Sequence, residues 1–399
     1  SSGILLSEPY LQSFISCEGP MFEKALKGNN YYWMWLAFLG FFVAVAAVCY
    51  LRQYFYGLGM TGMTRDVSWG LYISQFTFLV GVAAGGVMLV LPYYIHNFKA
   101  FGRITILGEF LAIASLLMCM MFIMADLGQP LRGLNVLLYP TPNSMLFWDM
   151  CVLWGYLLLN VLCGWVILTA ERKQVHPPKW IYFFVYLSIP FAFSIHTVTA
   201  MLYCGLPGRH FWLSAIVAPR FLASAFAAGP ALIVVMALIL KKVAHFDAGK
   251  QAIDKMVTII TYAAIANMFF VGLEFFVGFY SDIPGHKHTL QYLFFGLEHH
   301  GHVYNNLVPF MWGFVVLFFV GIALITNPRT RRDNDLWLGI GCASIFLAFW
   351  LDKGIGFVLG GFVPTPTEEI VEYYPTLNEL FITIGVWAAG FFILTVLYK

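Results

Sequence analysis

Four ionisable side chains interrupt long apolar segments of the sequence. Arg220 lies in "IVAPRFLASAFAAGPALIVV", Glu274 lies in the next apolar segment, and Asp352 and Lys353 are adjacent in a later one. An isolated arginine in hydrocarbon costs about 3 kcal/mol on insertion scales, so intramembrane ions face a bundle interior, pair with one another and often mark ion or proton paths. We therefore predict a proton pathway that uses these four residues. A purely structural salt bridge between Arg220 and Glu274 is the alternative.

Helix geometry puts Arg220 and Glu274 at one depth. With a rise of about 1.5 Å per residue, Arg220 lies roughly 12 Å inward from Trp212, taken as an interfacial aromatic, and Glu274 lies roughly 12 Å inward from Asp282. We expect these two side chains to form a buried ion pair. Glu109, near the inner end of another apolar segment, could begin a cytoplasmic half-channel of the same pathway, but an interfacial charge is the favoured interpretation of its position.

A second group of side chains has the chemistry of a quinone site. A quinone head group needs hydrogen-bond donors for two carbonyl oxygens and a flat surface to lie against, and its reduction or oxidation moves two protons. Histidine, with a pKa of about 6.5, suits that exchange, and His196 and Asp149 lie at comparable depths. For His196 alone, a packing histidine is an equal alternative. The candidate quinone-binding residues are Trp69, Tyr72, Gln75, Arg132, Asp149 and His196.

Other electron carriers are disfavoured by the residues that the chain lacks. Its seven cysteines are scattered without a C-x-x-C pair, so an iron–sulfur cluster held by this chain alone is not expected. Of ten histidines only His196 lies deep in an apolar segment, which disfavours a membrane haem with two axial histidines. The segment "GLEHHGHVYNN" (296–306) could bind a metal, but a polar loop that faces a partner is favoured.

The elements that carry these residues are membrane-spanning helices. Hydrophobic residues make up 60% of the chain, charged residues make up 11%, and the mean hydropathy is +0.78, far from a soluble globular protein. A membrane span needs about 20 apolar residues. We therefore predict an all-α, polytopic membrane protein with about ten spans, near residues 31–51, 69–95, 104–127, 144–169, 179–204, 211–240, 255–281, 303–326, 336–362 and 377–398.

An internal repeat relates two parts of the chain. At an offset of 143 residues Trp69 aligns with Trp212 within a longer run of matches, and Arg220 aligns with Thr77. Four spans separate the copies, so we predict two four-helix bundles of the same orientation. The predicted parts are a cytoplasmic N-terminal extension (1–30), a first flanking helix (31–66), the first half with the quinone site (67–205), the second half with the buried charges (206–365) and a last flanking helix (366–399).

Lysine and arginine are concentrated in the loops on one side of these spans. By the positive-inside rule, this asymmetry predicts the cytoplasmic membrane as the location, with both termini in the cytoplasm. No cleavable signal peptide is evident in the N-terminal segment. Membrane lipids are expected partners, and nucleic acid is not.

The segment "ADLGQPLRGLNVLLYPTPNSMLFWD" (125–149) resembles the D-L-G-x-P-x-R…N…P…S signature of the NrfD/polysulfide-reductase membrane-subunit family. Its Asp126, Gly128, Pro130, Arg132 and Asn135 match the signature one by one. The similarity extends through most of the chain and is greatest to the ten-span branch of the family. That branch includes the quinone-interacting subunit of Dsr-type complexes of sulfate reducers.

This resemblance implies a menaquinone bound non-covalently at the outer side of the first half, with no haem or iron–sulfur cluster on this chain. It also implies a periplasmic iron–sulfur (ferredoxin-like) subunit that exchanges electrons with the quinone. Further membrane and cytochrome subunits of a Dsr-type complex, and a role in sulfur- or sulfite-linked anaerobic respiration, follow from the same resemblance. Such a chain would be a subunit without independent enzyme activity, and the second half would carry any proton translocation.

Two other classes of protein stay open on the sequence. A secondary transporter also combines paired bundles with buried charges, but transporters favour broken helices at the membrane midplane, and the charges here cluster in the outer half. A structural membrane anchor for a soluble redox enzyme explains the apolar spans. It leaves the buried charges without a role.

Overall fold

Long apolar helices form nearly all of the chain that the structure describes. The structure is a computed structural model, and it describes residues 28–86, 99–173 and 175–399, without the side chains of residues 99, 103, 171, 172, 332 and 333. Within these ranges, nine helices are long and apolar enough to span a membrane. The prediction of an all-α, polytopic membrane protein is confirmed.

Ten helices are labelled here in chain order. They are α1 (Asn30–Tyr56), α2 (Leu71–Ala84), α3 (Gly102–Asp126), α4 (Met145–Arg172), α5 (Ile181–Cys204), α6 (Val217–Val243), α7 (Lys250–Tyr280), α8 (Val308–Thr326), α9 (Asp335–Gly360) and α10 (Leu377–Tyr398). The helix α2 is the short one, and the later part of its predicted span, residues 87–95, lies outside the described residues. Most of the predicted N-terminal extension, residues 1–27, also lies outside them.

Each half of the chain closes a ring of four helices. In the first half α2 packs on α3, α3 on α4, α4 on α5 and α5 on α2, and in the second half α6 to α9 pack in the same cyclic order. The flanking helices α1 and α10 pack on each other, and α10 also packs on α3. This packing supports the two predicted bundles, whose boundaries stay a prediction.

The two halves meet along α2 and α6, and the equivalent tryptophans of the repeat contact each other beside these helices. The indole rings of Trp69 and Trp212 stack with their centroids 5.8 Å apart. Near the other end of α2, a Cβ built on Gly85 would lie 2.5 Å from the Cα of Gly229, so these two backbones touch only because both residues are glycine. Side chains of either half are therefore within reach of the other half.

The start of α6 differs from the prediction. A 3-10 turn, His210–Trp212, precedes the helix, which begins at Val217 and not at residue 211. Trp212 is fully buried and donates from its indole to the Phe357 carbonyl oxygen at 3.0 Å. It is a core residue and not an interfacial aromatic. The depth of roughly 12 Å for Arg220, which assumed a continuous helix from Trp212, is therefore wrong, because Arg220 lies in the first turn of α6.

A π-helical turn, Trp350–Gly356, interrupts α9 where its charged residues occur. Its Gly354 packs closely on α2, since a Cβ there would lie 3.3 Å from the Ser74 carbonyl oxygen. Asp352 and Lys353 are only 1% and 3% exposed. Both side chains of this turn therefore face protein, and such turns inside α-helices are frequent at functional sites.

Candidate functional site

Arg220 holds two carboxylates together inside the second half. Its guanidinium, in the first turn of α6, donates to one carboxylate oxygen of Glu274 on α7 and to one of Asp352 on the π-helical turn. All three side chains are buried, at 10% exposure or less. The predicted ion pair between Arg220 and Glu274 is present, and Asp352 extends it to a cluster of three charges. A role of this cluster in a proton pathway stays a prediction.

A small cavity borders the three charges, and the rest of its wall is mostly apolar. The second carboxylate oxygen of Asp352, Oδ2, is buried and has no hydrogen-bond partner among the described residues. Buried polar atoms without a partner are rare in proteins, and each requires an explanation such as a bound water molecule or proton. Asp352 Oδ2 is therefore a candidate position for either one.

Lys353 points away from this cluster, although it directly follows Asp352 in the chain. A Cβ built on Gly81 of α2 would lie 3.1 Å from Lys353 Nζ, and Nζ lies 4.2 Å from the centre of the Phe221 ring. The sequence grouped Lys353 with the charges of the second half. The structure puts its ammonium group against the first half instead, because consecutive side chains on a helical turn point to different neighbours.

Asp149 is bonded to Thr199 in the first half, and His196 lies on the same face of α5 as Thr199. The Thr199 hydroxyl of α5 donates to Asp149 Oδ1 of α4 at 2.6 Å. His196 precedes Thr199 by three residues, so the two share one face of α5. Both ring nitrogens of His196 are buried and lack a partner in the part of the chain that the structure describes. His196 can therefore offer either nitrogen to a ligand.

Tyr203 and Thr77 belong to the same cluster, and the sequence did not single them out. The Tyr203 hydroxyl of α5 contacts the Thr77 hydroxyl of α2. His196, Thr199 and Tyr203 follow one another at intervals of three and four residues, a spacing that marks one helix face and could have identified Tyr203 in advance. Thr77 comes from another helix, so only the tertiary structure reveals it.

Tyr72 and Gln75 both lie on α2, but their side chains bond to different neighbouring helices. The Tyr72 hydroxyl donates to Gln53 Oε1 of α1 at 2.8 Å. Gln75 Oε1 accepts from the indole of Trp350 at 2.8 Å and from that of Trp387 at 3.0 Å. Its Nε2 is buried and has no partner within the described ranges. Gln75 therefore has a donor available, whereas the polar tip of Tyr72 is already bonded.

The last two predicted quinone residues lie farther from the buried centre. Trp69 is half-buried and stacks on Trp212 at the contact between the halves. Arg132 is exposed on the 3-10 turn Pro130–Arg132 that follows α3. Of the six predicted residues, Asp149 is bonded to Thr199, and His196 lies one turn before Thr199 on the same helix face.

Glu109 is buried inside the first half. It is 5% exposed, and its Oε2 has no hydrogen-bond partner in the described part of the chain. Its carboxyl group borders a small cavity together with Tyr156 and Asn160 of α4 and Ser188 of α5. The interpretation as an interfacial charge is wrong, because α4 and α5 cover this level of α3. The cavity supports the predicted half-channel, which stays a prediction.

Glu379 is a buried acid at the start of α10 that the sequence analysis did not single out. It is fully buried in the first turn of α10, forms a capping box with Thr376, and accepts from the Tyr373 hydroxyl at 2.5 Å and the Gly62 amide at 2.7 Å. The T-x-x-E pattern of a capping box is present in the sequence and could have identified it. Its bonds hold loop segments in place, so its role is structural.

The histidine-rich segment forms a hairpin of two short strands, β1 (Leu297–His299) and β2 (His302–Tyr304), paired antiparallel. Across the described ranges, no group of three or more His, Cys, Asp or Glu side chains is arranged to hold a metal ion. The structure therefore gives no support to a metal site in this segment.

The fold and its buried polar clusters define a multi-pass helical membrane protein that holds ionisable side chains in its interior. Residues 59–351 match the family model described as "Polysulphide reductase, NrfD", and the chain belongs to this family. The resemblance drawn from residues 125–149 is therefore confirmed.

Three relatives match nearly the whole chain. A selenate reductase subunit from Mesobacillus selenatarsenatis is 26% identical, over 88% of this chain and 90% of the relative. A putative dimethyl sulfoxide reductase membrane subunit from Halobacterium salinarum is 24% identical, over 89% and 88%. The Hdr-like menaquinol oxidoreductase integral membrane subunit from Archaeoglobus fulgidus is 23% identical, over 94% of each chain.

Proposed function

We propose that this chain is the quinone-binding membrane subunit of a redox complex and exchanges electrons between menaquinone or menaquinol and a periplasmic iron–sulfur partner. The observation that carries the proposal is His196, whose two buried ring nitrogens have no partner among the described residues, on the helix face whose Thr199 bonds to Asp149. The relative from Archaeoglobus is named as a subunit of a menaquinol oxidoreductase, which supports the same assignment.

The side chains of the first half fit a quinone head group. Bound menaquinone supplies the exchange of two electrons and two protons. His196 would donate a hydrogen bond to a quinone oxygen from one of its two unpartnered ring nitrogens and would pass a proton through that nitrogen. Gln75 Nε2 is a second buried donor, and Asp149 is the carboxyl group that exchanges a proton with its surroundings. Trp69 and Tyr72 add aromatic surface.

The finer assignment rests on the family resemblance. It comprises a multi-pass subunit of the cytoplasmic membrane with both termini in the cytoplasm, no independent enzyme activity, and a Dsr-type complex of sulfur- or sulfite-linked respiration. Two relatives are named for selenate and dimethyl sulfoxide reductases. Those terminal reactions are the alternatives within the same proposal.

Quinone binding by the purified complex tests the proposal. Organic extraction is expected to yield menaquinone, and a photoreactive menaquinone analogue is expected to label α4 or α5 near Asp149 and His196, with competition by unlabelled menaquinone. The competing class, a secondary transporter, has buried charges as well. An extract without quinone, no competed labelling, and solute uptake by proteoliposomes would together overturn the proposal in favour of a transporter.

Proton movement is the second part of the proposal, and Glu109 begins its path on the inner side. Its unpartnered carboxyl group borders the cavity with Asn160 and Ser188. We expect Glu109→Gln to reduce proton uptake during quinol turnover in proteoliposomes, measured with a pH-sensitive dye, while the electron-transfer rate without a proton gradient is kept. The exposed loop variant Glu298→Gln is the matched control. Equal proton uptake in the wild type and in Glu109→Gln would contradict the path.

A further inference from the structure

Lys353 is a cation of the second half whose charged end lies against the first half. It is 3% exposed, and its Nζ has no hydrogen-bond partner in the described ranges. The space that Nζ occupies exists because residue 81 is glycine, since a Cβ there would approach Nζ to 3.1 Å. α2 therefore leaves room for this ammonium group at one position along its length.

The contacts of Lys353 do not account for its burial. Its ammonium group lies over the Phe221 ring at 4.2 Å, and a cation–π contact returns less than the desolvation of a buried charge costs. The carboxylate of Asp352, the nearest in sequence, is bonded to Arg220. A buried ammonium group without a bonded anion is expected to serve a partner that carries negative charge at some stage.

The face of α2 that contacts Lys353 also contacts the proposed quinone site. Gly81, which borders Lys353 Nζ, follows Thr77 by four residues on α2, and the Thr77 hydroxyl contacts that of Tyr203. Lys353 is within electrostatic range of His196 on α5 and Cys119 on α3, and also of Asp352 and Arg220. Cys119 is in turn within electrostatic range of Asp149. The ammonium group therefore lies against the part of α2 that borders the His196, Thr199 and Tyr203 face of α5, whereas Arg220 and Asp352 belong to the second half.

We propose that Lys353 completes the quinone site of the first half from the second half. This inference rests on the proposed function. Its ammonium group offsets negative charge that builds up on the quinone oxygens. Lys353 also couples that charge electrostatically to the Arg220 cluster, because it directly follows Asp352. The π-helical turn makes this possible, because Asp352 is anchored to Arg220 and fixes the backbone from which Lys353 extends.

The charge of the ligand supplies the test. We compare the affinities of the purified complex for two menaquinone analogues, a 2-hydroxy-1,4-naphthoquinone, which is an anion at neutral pH, and its uncharged 2-methyl counterpart. Lys353→Met is expected to weaken binding of the anion by about tenfold or more, as for close charge pairs at interfaces, and to leave the uncharged analogue almost unaffected. Gly81→Ala keeps every charge but brings a Cβ close to Lys353 Nζ. It is therefore also expected to weaken binding of the anion relative to the uncharged analogue.

Two matched controls accompany these variants. Lys241→Met removes a lysine from an exposed pair with Asp335, and Gly272→Ala adds a Cβ where no other atom lies within 4 Å, so neither should change the preference. Should Lys353→Met fail to assemble, Gly81→Ala carries the test alone. If the wild type, Lys353→Met and Gly81→Ala bind the anion with equal affinity, the proposed role of Lys353 is wrong. The proposed quinone site is not affected by that result. A wild type that binds neither analogue would overturn the proposed function itself.

Discussion

Replacing Arg220 with methionine is expected to lower the free energy of unfolding by about 3–5 kcal/mol, the cost of breaking a buried ion pair from one side. The loss is large because one guanidinium serves both Glu274 and Asp352, so two buried carboxylates lose their cation together. Denaturation of the purified protein in detergent, followed by circular dichroism, measures the change.

A rescue variant separates the lost charge from the lost side chain. Combining Arg220→Met with Glu274→Gln and Asp352→Asn removes the uncompensated charges and is expected to recover a large part of the stability, because neutral groups are cheaper to bury. The control is Lys241→Met, whose pair with Asp335 is about half exposed, and exposed pairs contribute about 0–1 kcal/mol. An Arg220→Met protein as stable as the wild type would contradict the prediction.

The rescued triple variant also tests whether the Arg220 cluster is structural or functional. If Arg220 only stabilises the fold, the rescued triple variant should move protons with quinol turnover as the wild type does. If the cluster belongs to the proposed proton pathway, the triple variant is expected to be stable but to lose proton uptake, since Asp352 can no longer gain and release a proton. Dye-based proton measurements in proteoliposomes separate the two outcomes.

Replacing His196 with alanine is expected to lower menaquinol-linked electron transfer by about 10²–10⁴-fold, the usual contribution of a positioned general acid or base. Asp149→Asn is expected to have an effect of similar size, because the amide cannot exchange the proton. Thr199→Val removes only the 2.6 Å hydrogen bond to Asp149, so its effect should be smaller. Stopped-flow measurement of quinol oxidation by the assembled complex gives these rates.

The exposed His176 provides the matched control. His176→Ala is expected to leave the rate unchanged, and size-exclusion chromatography checks that every variant complex is assembled. If His196→Ala and Asp149→Asn both oxidise menaquinol at the wild-type rate, the quinone site does not lie at this cluster. His196 is then a packing histidine.

Much of the fold follows from local sequence properties. Apolar stretches of span length predicted the helices, because hydrocarbon leaves no other partner for backbone polar groups than the helix itself. The need of an intramembrane arginine for an anion predicted the pair of Arg220 and Glu274, which the structure contains. The loop signature at residues 125–149 predicted the family to which the chain belongs.

The wrong predictions have one physical cause, which is that segments distant in sequence pack against the residues concerned. Trp212 looked interfacial because it is an aromatic residue that follows Arg209 and His210 at the start of a predicted span, but Trp69 and Phe362 pack against it. Glu109 looked interfacial because it lies near a helix end, but α4 and α5 cover it. Neither position could be read from local hydropathy, since burial depends on what packs against a residue.

The sequence by itself determined the all-α membrane class, the approximate spans, the repeat of the two halves and the identity of the four charges buried in the second half, because each depends on residue type and spacing along one segment. Only the tertiary structure decided which half each charged group faces. Asp352 and Lys353 are consecutive, yet the π-helical turn and the missing side chain of Gly81 direct one to Arg220 and the other to α2. That division depends on the close approach of α2 to α9, which local sequence properties did not reveal.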